Sequence, residues 1–552
     1  MRARSVLQVA VVASVLCAVT SAEAAGIFDK VKSLFHHSNG SESTSGSAVD
    51  DNTCVYDWAS LSCKPEASCA IQYHFGDVTP SEACRLSRTS DTTKTPQQFH
   101  LSFAGRKAGT GMAISWTTFK LDSEPTVWLG RTEAKLKVVA DATIETKSYY
   151  KDKDYSLYSY HAIVTGLKPN TEYFYKVGSA SSKKFQSAVS SFTTARKSGD
   201  DSPFTIAVYG DMGADANAVE TNKYVNGLVD KVDFVYHLGD VSYADDAFLS
   251  AKTAFGFYYE QVYNKFMNSM TNIMRRMAYM VLVGNHEAEC HSPSCLLSDS
   301  KLNQLGNYSA FNSRFRMPSN ESGGVLNMMY SYEYASVHFT TVSSETDYPH
   351  APSNAYHTHH VYGHFGDQLA WLEEDLKAAD ANRDKVPWIV VGMHRPMYTI
   401  RSCDAGGGPN NDFDALNVQE AFEELFIKYK VDLVLQGHVH AYERQYPVAN
   451  GSAVMHGVSK DDTIYKNPQA PVYVISGSAG GPEGLYKYKH PESPKWHAVM
   501  DNTHYGITLL SVTPTNLTLT TVASGTGAEI DKFSVLKDDQ GSATQEKQKK
   551  RY

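Results

Sequence analysis

Five stretches of this chain follow one pattern, in which an apolar run ends at a small residue and polar side chains come next. In the clearest of them, the apolar residues 232–236 are followed by Leu238-Gly239-Asp240-Val241-Ser242-Tyr243. The run predicts a buried strand that turns at Gly239. Asp240 would therefore lie at the carboxyl end of a strand, where open α/β sheets bind their ligands. Tyr243 follows closely enough to reach the same point.

The other four stretches place Asp, Asn or His at the equivalent position. Their apolar runs cover residues 204–209, 279–283, 388–391 and 431–435, and they end at Asp211, at Asn285 and His286, at His394, and at His438 and His440. A single strand-end Asp is more often a turn residue than a ligand. Five such stretches in one chain predict an α/β domain whose polar strand ends converge on one rim.

The side chains at these strand ends are two carboxylates, a phenol, an amide and imidazoles. They do not make a Ser-His-Asp triad, but oxygen and imidazole donors suit iron, zinc or manganese. Two such ions a few ångströms apart can hold both the attacking and the leaving oxygen of a phosphoryl transfer. One carboxylate would have to bridge the two ions.

The region before this domain has a different pattern. From residue 96, short alternating runs at 112–116, 125–129 and 172–178 are separated by turns. About seven strands in about a hundred residues predict a β-sandwich of fibronectin type III kind at 96–196. Residues 197–202 form a polar linker, and strand–helix alternation then predicts the α/β domain at 203–536.

Taken together, the motifs resemble those of purple acid phosphatases. Gly-Asp-x-Gly at 210–213, Gly-Asp-x-x-Tyr at 239–243, Gly-Asn-His-Glu at 284–287, the strand-end His394 and Gly-His-x-His at 437–440 occur in that family's order. The resemblance is to the larger, plant-type branch, which carries a fibronectin-like domain before the catalytic one. It implies a metallophosphoesterase domain of the αββα sandwich type.

The resemblance also implies which residues hold the metal ions and the substrate. A ferric ion would be held by Asp211, Asp240, Tyr243 and His440. A divalent ion, zinc, manganese or iron, would be held by Asp240, Asn285, His394 and His438, with Asp240 as the bridge. The implied catalytic residue is His286, and the implied substrate contacts are Asn285, His286 and Arg395.

The implied function is an acid phosphatase that hydrolyses phosphate monoesters by attack of a metal-bound hydroxide. An alternative keeps the centre but changes the substrate to a phosphodiester, a nucleotide diphosphate or phytate. A third hypothesis is a binding protein that retains the fold without activity. All seven implied ligands are present in the chain, which argues against this last hypothesis.

One segment departs from the plant pattern. Plant relatives have a further His pair about nine residues after the strand-end His, which helps to bind substrate. Here residues 395–403 contain no His. Arg395, Tyr398 and Arg401 are candidates for a phosphate contact, and a packing role fits them equally well.

The amino terminus predicts export. Arg2 and Arg4 precede an apolar stretch at 6–19, and Ala22-Glu23-Ala24 has the form of a cleavage site, which predicts a signal peptide at 1–24. We therefore expect a protein outside the cell or in a vacuole, without a stable membrane anchor. A net charge of −9 argues against a nucleic-acid partner.

Residues 25–95 are expected to be a mobile Ser-rich and Cys-bearing segment, and residues 537–552 a disordered tail. Four cysteines at 54, 63, 69 and 84 predict two disulfides of unknown pairing, with a zinc site as the alternative. Cys290 and Cys295 would close a small loop. Cys403 is then left over, and either a disulfide-linked homodimer or a free thiol fits it. Sequons for glycosylation occur at Asn39, Asn307, Asn320, Asn450 and Asn516.

Overall fold

The structure, a computed structural model, describes residues 54–57, 62–65, 94–152, 155–246, 257–352, 363–401, 413–488 and 493–538. The predicted signal peptide, most of the segment at 25–95, Asn39, Cys69, Cys84, Cys403 and most of the tail lie outside these residues. The predictions made for them, including a homodimer through Cys403, therefore stay predictions. In the described part of the chain, no helix combines the length and the apolar character needed to span a bilayer.

The amino-terminal domain is a sandwich of two four-stranded antiparallel sheets. It is preceded by a hairpin of β1 (Cys54–Asp57) and β2 (Ser62–Pro65). The strands of the domain are β3 (Gln97–Ala104), β4 (Gly111–Thr118), β5 (Pro125–Gly130), β6 (Lys137–Val138), β7 (Thr143–Lys147), β8 (Lys151–Asp152), β9 (Tyr155–Ser156), β10 (Tyr158–Thr165), β11 (Glu172–Ser179) and β12 (Ser190–Thr193). The sheet orders are β3-β4-β10-β7 and β12-β11-β5-β6, which confirms the predicted β-sandwich.

The second domain contains two large mixed sheets. The first has the order β17-β15-β13-β27-β28-β29-β24, and its strands are β13 (Phe204–Tyr209), β15 (Val235–His237), β17 (Tyr279–Val281), β24 (Ile464–Lys466), β27 (Gly506–Thr513), β28 (Asn516–Ala523) and β29 (Glu529–Leu536). A short pair, β14 (Met212–Gly213) and β16 (Val241–Ser242), links two of its strand ends.

The second sheet has the order β18-β19-β20-β21-β25-β22-β23, with β26 also paired to β22. Its strands are β18 (Tyr330–Tyr334), β19 (Val337–Thr341), β20 (Trp388–Gly392), β21 (Leu433–Gln436), β22 (Tyr442–Ala449), β23 (Ser452–Ala453), β25 (Val472–Ser476) and β26 (His497–Asp501).

Helices cover the outer faces of these two sheets. The α-helices are α1 (Val219–Asn226), α2 (Tyr259–Ser269), α3 (Thr271–Met274), α4 (Pro293–Leu296), α5 (Asp299–Leu305), α6 (Ser309–Arg314), α7 (Ser319–Ser322), α8 (Gln368–Ala381) and α9 (Phe413–Lys428). Short 3-10 helices occur at Lys183–Phe185, Ala216–Ala218 and Asn285–Glu287.

Strand β20 shows why its sequence is a continuous apolar run. Trp388 and Val390 pack into the core between the two sheets, whereas Ile389 and Val391 pack against the side chains of α8 and α9. A strand with both faces buried needs apolar residues at every position. On the other side of the domain, Phe266 of α2 packs on the first sheet. The layers are thus helices, sheet, sheet and helices, which confirms the predicted αββα sandwich.

The neighbouring strands β13, β15 and β17 run parallel, and so do β19, β20, β21 and β25. The two sheets pack face to face, as the ring contact between Phe234 and Phe339 shows. Parallel strands have their carboxyl ends at one edge of a sheet. The two edges meet at one rim, and this rim carries the polar residues that follow the five strands.

The sandwich packs on the second domain through buried polar contacts. His100 of β3 lies 2.7 Å from the Tyr279 carbonyl oxygen, and His161 of β10 lies 3.0 Å from the Ser313 carbonyl oxygen. A fully buried ion pair joins Arg314 to Glu260 at 2.9 Å, and Tyr155 of the sandwich donates to the same glutamate at 2.6 Å. The interface therefore depends on polar groups that must stay paired.

Candidate metal centre

The seven side chains predicted as metal ligands lie together at the rim, and each follows a strand end. The first sheet contributes Asp211 after β13, Asp240 and Tyr243 after β15, and Asn285 after β17; the second contributes His394 after β20, and His438 and His440 after β21. All are buried or nearly so. Their donor atoms form two groups.

The first group is built around the Tyr243 phenol. Its oxygen lies 2.7 Å from His440 Nε2, 3.3 Å from Asp211 Oδ1 and 3.4 Å from Asp240 Oδ2. The other nitrogen of His440 lies 2.9 Å from the Gly484 carbonyl oxygen. That contact fixes the ring with Nε2 facing the phenol and the carboxylates.

The second group is built around the Asn285 amide oxygen. This oxygen lies 3.1 Å from His394 Nε2 and 2.9 Å from His438 Nδ1. His394 Nε2 also lies 3.0 Å from Asp240 Oδ2, and His394 Nδ1 lies 2.8 Å from the Leu238 carbonyl oxygen. A backbone carbonyl oxygen therefore orients one imidazole ring in each group, His440 in the first and His394 in the second. Metal-ligating His residues commonly have such a partner on the other ring nitrogen.

One oxygen atom belongs to both groups. Asp240 Oδ2 lies 3.4 Å from the Tyr243 phenol and 3.0 Å from His394 Nε2. Atoms bound to one ion at about 2.0–2.2 Å lie about 3.0–3.5 Å apart at ordinary bond angles. The spacings of 2.7–3.4 Å are close to this range, so the residues fit two ions with Asp240 between them.

The electrostatics of the cluster also fit a cationic occupant. Burial raises the pKa of Asp211 and of Tyr243 well above their usual values, and nearby carboxylates add to the effect at Tyr243. Burial lowers the pKa of His440 to about 4, and that of His438 well below its usual value. The protein alone thus disfavours the charged forms of Asp211 and Tyr243, which a bound cation would stabilise. It also keeps His438 and His440 neutral, the form in which imidazole binds a metal.

Asp240 and His394 form a coupled pair within this cluster. Burial opposes ionisation of Asp240, but attraction to His394 and His286 outweighs it and holds the pKa below its usual range. Burial lowers the pKa of His394, but attraction to Asp240 outweighs it and raises the pKa to about 9. The carboxylate between the two groups is thus ionised.

The backbone around the site is held in an unusual conformation. Asp211, Asp240, Tyr243 and His438 have φ values of 62°, 52°, 52° and 69°. Residues with a Cβ seldom adopt this left-handed region, which costs of order 1–3 kcal/mol per residue. A Cβ added at Gly284 would lie 2.3 Å from Asp240 Oδ1, so the site also requires a glycine there. The turns that aim the donors are strained, which is typical of functional sites.

His286, predicted as catalytic, borders the cluster rather than joining it. Its Nε2 lies 4.0 Å from Asp240 Oδ2, and its backbone N–H donates to Asp240 Oδ1 at 2.9 Å. Its Nδ1 lies 2.8 Å from Asp245 Oδ2, which is also 3.1 Å from His291 Nδ1. Burial lowers the pKa of His286, but Asp245 and Asp240 outweigh it and raise the pKa well above its usual value.

Sequence reasoning did not single out Asp245, although it follows Tyr243 by two residues. His291 was also missed, although it directly follows Cys290 within the predicted disulfide loop. The predicted Cys290–Cys295 disulfide is present.

Glu287 joins two of the ligand-bearing turns. Its carboxylate accepts hydrogen bonds from the backbone N–H groups of Asp240 at 2.9 Å, Val241 at 2.7 Å and Gly284 at 2.7 Å. Burial and repulsion from Asp240 raise its pKa to about 8.

Arg395, predicted as a substrate contact, is buried beside Glu345. Its Nε lies 2.9 and 3.0 Å from the two carboxylate oxygens of that residue. The substrate role of Arg395 stays a prediction. Among the predicted glycosylation sites, the side chains of Asn307, Asn320 and Asn450 are exposed and that of Asn516 is half-buried.

Comparison with known proteins identifies the family. Residues 96–194 match the purple acid phosphatase N-terminal domain, residues 204–442 the calcineurin-like phosphoesterases, and residues 470–532 the iron/zinc purple acid phosphatase-like protein C family. The chain is 31% identical over 500 residues to acid phosphatase A of Cryphonectria parasitica, covering 81% of this chain and 93% of the relative.

The chain belongs to the purple acid phosphatase family.

A further relative is similar in sequence, and a solved structure is similar in fold. The Fe(3+)-Zn(2+) purple acid phosphatase 12 of Arabidopsis thaliana is 28% identical over 408 residues, covering 73% of this chain and 76% of the relative. The structure of a purple acid phosphatase from yellow lupin seeds has a TM-score of 0.62 and 23% identity, covering 80% of this chain and 75% of that one. The predicted family and enzyme class, an acid phosphatase with a metallophosphoesterase domain, are thereby confirmed. As a purple acid phosphatase, the chain is a dinuclear metal phosphatase.

Proposed function

We propose that this chain is a secreted acid phosphatase that hydrolyses phosphate monoesters at an Fe(III)–M(II) centre, where M is zinc, manganese or iron. The observation that carries the proposal is the position of Asp240 Oδ2 between two unlike donor groups. One group contains a phenol, carboxylates and one imidazole, and the other contains an amide, two imidazoles and the shared Asp240 carboxylate.

The unlike donors support the assignment of the two ions. Phenolate and carboxylate oxygens favour a hard trivalent ion, whereas imidazole and amide suit a divalent one. The relative named an Fe(3+)-Zn(2+) enzyme supports the same pairing. When bound, the two ions supply Lewis-acid activation of the phosphoryl group and of a water molecule.

The chain's own residues would orient the substrate and move a proton. Asn285 and His286 follow β17 directly; the Asn285 amide oxygen belongs to the second donor group, and His286 Nε2 lies 4.0 Å from Asp240 Oδ2. Asp245 holds His286 Nδ1, which leaves Nε2 pointing towards Asp240. His286 is therefore placed to donate a hydrogen bond to the phosphate or to the leaving oxygen.

Three features support secretion. The chain begins with the predicted signal peptide, the Cys290–Cys295 disulfide suits an oxidising compartment, and three of the described sequons are exposed. Sequencing the amino terminus of the mature protein, recovered from the medium of expressing eukaryotic cells, tests this part. Retention of residues 1–24 in a cell-associated product would contradict it.

The first test of the centre is a visible spectrum with metal analysis on the same sample. We expect a broad band in the green-to-yellow region and about two metal ions per chain. Tyr243→Phe should abolish the band, because the band arises from charge transfer between the phenolate and ferric iron. Tyr473→Phe is the matched control, since Tyr473 is buried and its hydroxyl has no hydrogen-bond partner among the described residues.

Two outcomes would change the proposal. A colourless protein with two zinc or manganese ions would remove ferric iron from it. Faster hydrolysis of bis-p-nitrophenyl phosphate than of p-nitrophenyl phosphate would move the substrate class from monoesters to diesters.

A further inference from the structure

The loop that carries His291 is closed by the Cys290–Cys295 disulfide and follows the turn that bears Asn285. Both cysteines are buried, and Cys295 lies in α4, so the cross-link ties the backbone before His291 to that helix. Two residues before Cys290, the Ala288 carbonyl oxygen accepts a hydrogen bond from a backbone N–H three residues after α5 at 3.0 Å. The backbone that leads into His291 is therefore held by a covalent bond and by a hydrogen bond.

His291 shares a carboxylate oxygen with His286. Asp245 Oδ2 lies 3.1 Å from His291 Nδ1 and 2.8 Å from His286 Nδ1. The neighbouring Asp246 lies 3.7 Å from each of these nitrogens, through Oδ1 for His291 and through Oδ2 for His286. Asp245 is fully buried, and the centres of the two imidazole rings are 6.3 Å apart. Two imidazoles of one chain segment therefore flank the same carboxylate oxygen.

The second imidazole restricts the direction of the Asp245 carboxylate. The terminal torsion of an Asp side chain is broad, so a carboxylate with one partner can turn about its own bond. A second partner at 3.1 Å from the same oxygen removes much of this freedom. The direction matters for His286, whose Nδ1 faces Asp245 while its Nε2 lies 4.0 Å from Asp240 Oδ2. A turn of the carboxylate would move Nε2 relative to the candidate metal centre.

We propose that His291 is a positioning residue for the hydrolysis of phosphate esters. The Cys290–Cys295 loop places His291 against Asp245, and Asp245 in turn orients His286. The inference rests on the proposed function, in which His286 donates a hydrogen bond to the phosphate or to the leaving oxygen. His291 acts through Asp245 and not on the reacting atoms themselves.

Two substitutions of similar size isolate the contact between His291 and Asp245. Asn branches at Cγ as His does, so the amide nitrogen of His291→Asn can take the place of Nδ1 and donate to the carboxylate. His291→Leu fills a similar volume and has no donor. For His291→Leu we expect kcat for p-nitrophenyl phosphate to fall about 3- to 10-fold, less than for loss of a direct partner of His286. The KM should change little, and His291→Asn should keep most of the wild-type kcat.

The role of the disulfide is tested in a cycle with the same residue. Cys290→Ser together with Cys295→Ser removes the cross-link without a thiol reductant, which would also reduce a ferric ion. We expect kcat to fall about as far as in His291→Leu, and the triple variant should fall no further, because both changes act through one contact. Multiplying losses in the triple variant would overturn the inference that the loop acts through His291.

His338→Leu is the matched control, because His338 is also a buried imidazole beside a carboxylate, with Nε2 2.9 Å from Asp375 Oδ2. It lies near the start of β19, whereas the predicted ligands follow the carboxyl ends of the strands. We expect this variant to lose stability and to keep its kcat. Metal content and melting temperature are measured for every variant, and kcat is expressed per metal-loaded site.

The outcomes separate positioning from a merely structural role. A wild-type kcat in His291→Leu, whatever its melting temperature, would overturn the inference. Equal losses of kcat in His291→Leu and His291→Asn would also overturn it, because the donor to Asp245 would then be irrelevant. A metal-loaded wild type that does not hydrolyse phosphate esters would instead refute the proposed function.

Discussion

Replacement of Glu287 by Gln should weaken metal binding, although Glu287 is not a predicted ligand. Its carboxylate accepts three backbone N–H groups, two from the turn that carries Asp240 and one from Gly284, which precedes Asn285. One side chain therefore sets the distance between the turn with the bridging carboxylate and the turn with the amide ligand. Gln has nearly the same shape, so the change is chemical rather than steric.

The size of the effect follows from these contacts. The amide keeps one acceptor oxygen, which can retain the two N–H groups now bound to Oε2, from Asp240 and Gly284. Its NH₂ group then faces the Val241 N–H, so one hydrogen bond is lost and a buried donor is left without an acceptor. The cost is about 1–3 kcal/mol. We expect metal affinity to fall about 10- to 100-fold, the usual range for loss of a residue that supports metal ligands.

The assay is retention of metal during dialysis against increasing concentrations of a chelator. Glu289→Gln is the control, because it removes another buried carboxylate of the same segment and leaves the three bonds of Glu287 in place. Melting temperatures of the metal-free proteins report any general loss of stability. Equal metal retention by wild type and Glu287→Gln would refute the reasoning.

Three further predictions concern the residues around the centre and the domain interface. Asp245→Asn should lower kcat about 10- to 100-fold with little change in KM, because His286 loses the carboxylate that orients it. An unchanged kcat would contradict a role of Asp245 in orienting His286. Glu260→Gln should lower the unfolding free energy by about 3–5 kcal/mol, because Arg314 stays buried without its ionic partner. A denaturant titration measures this, and an unchanged midpoint would show that the ion pair is dispensable. Burial lowers the pKa of His161 to about 3, so between about pH 3 and pH 6.5 the folded protein keeps His161 neutral whereas the unfolded chain protonates it. The contribution of His161 to the unfolding free energy is therefore complete above pH 6.5 and should be about 2 kcal/mol smaller at pH 5. His161→Gln should lose this part of the pH dependence. Equal slopes of unfolding free energy against pH in wild type and variant would contradict the prediction.

The ligands of the candidate centre are readable in the sequence because each one is a local feature. An apolar run, a small residue and a donor side chain lie within about ten residues of each other, and this pattern predicts a strand and the turn after it. The order of the motifs then identifies the family before any contact is known. The same reasoning predicted the β-sandwich from its short alternating runs.

The contacts that tune the site were not readable in this way. Glu287 meets the Asp240 N–H across 47 residues, Thr399 meets Glu443 across 44, and Arg401 meets His438 across 37. Nothing in the sequence near any one of these residues indicates its partner. The sequence left Arg395 and Arg401 equally eligible for phosphate, and the structure places Arg395 beside Glu345 and Arg401 beside His438.

The sequence by itself thus determined the two domains, the family and the identities of the candidate ligands. Only the tertiary structure decided that Asp240 lies between the two donor groups, that Asp245 supports His286 and that Arg401 reaches the rim. The physical reason is that strand and turn preferences act over a few residues, whereas the geometry of the rim depends on how two sheets pack against each other. Ångström distances between donor atoms are set by that packing.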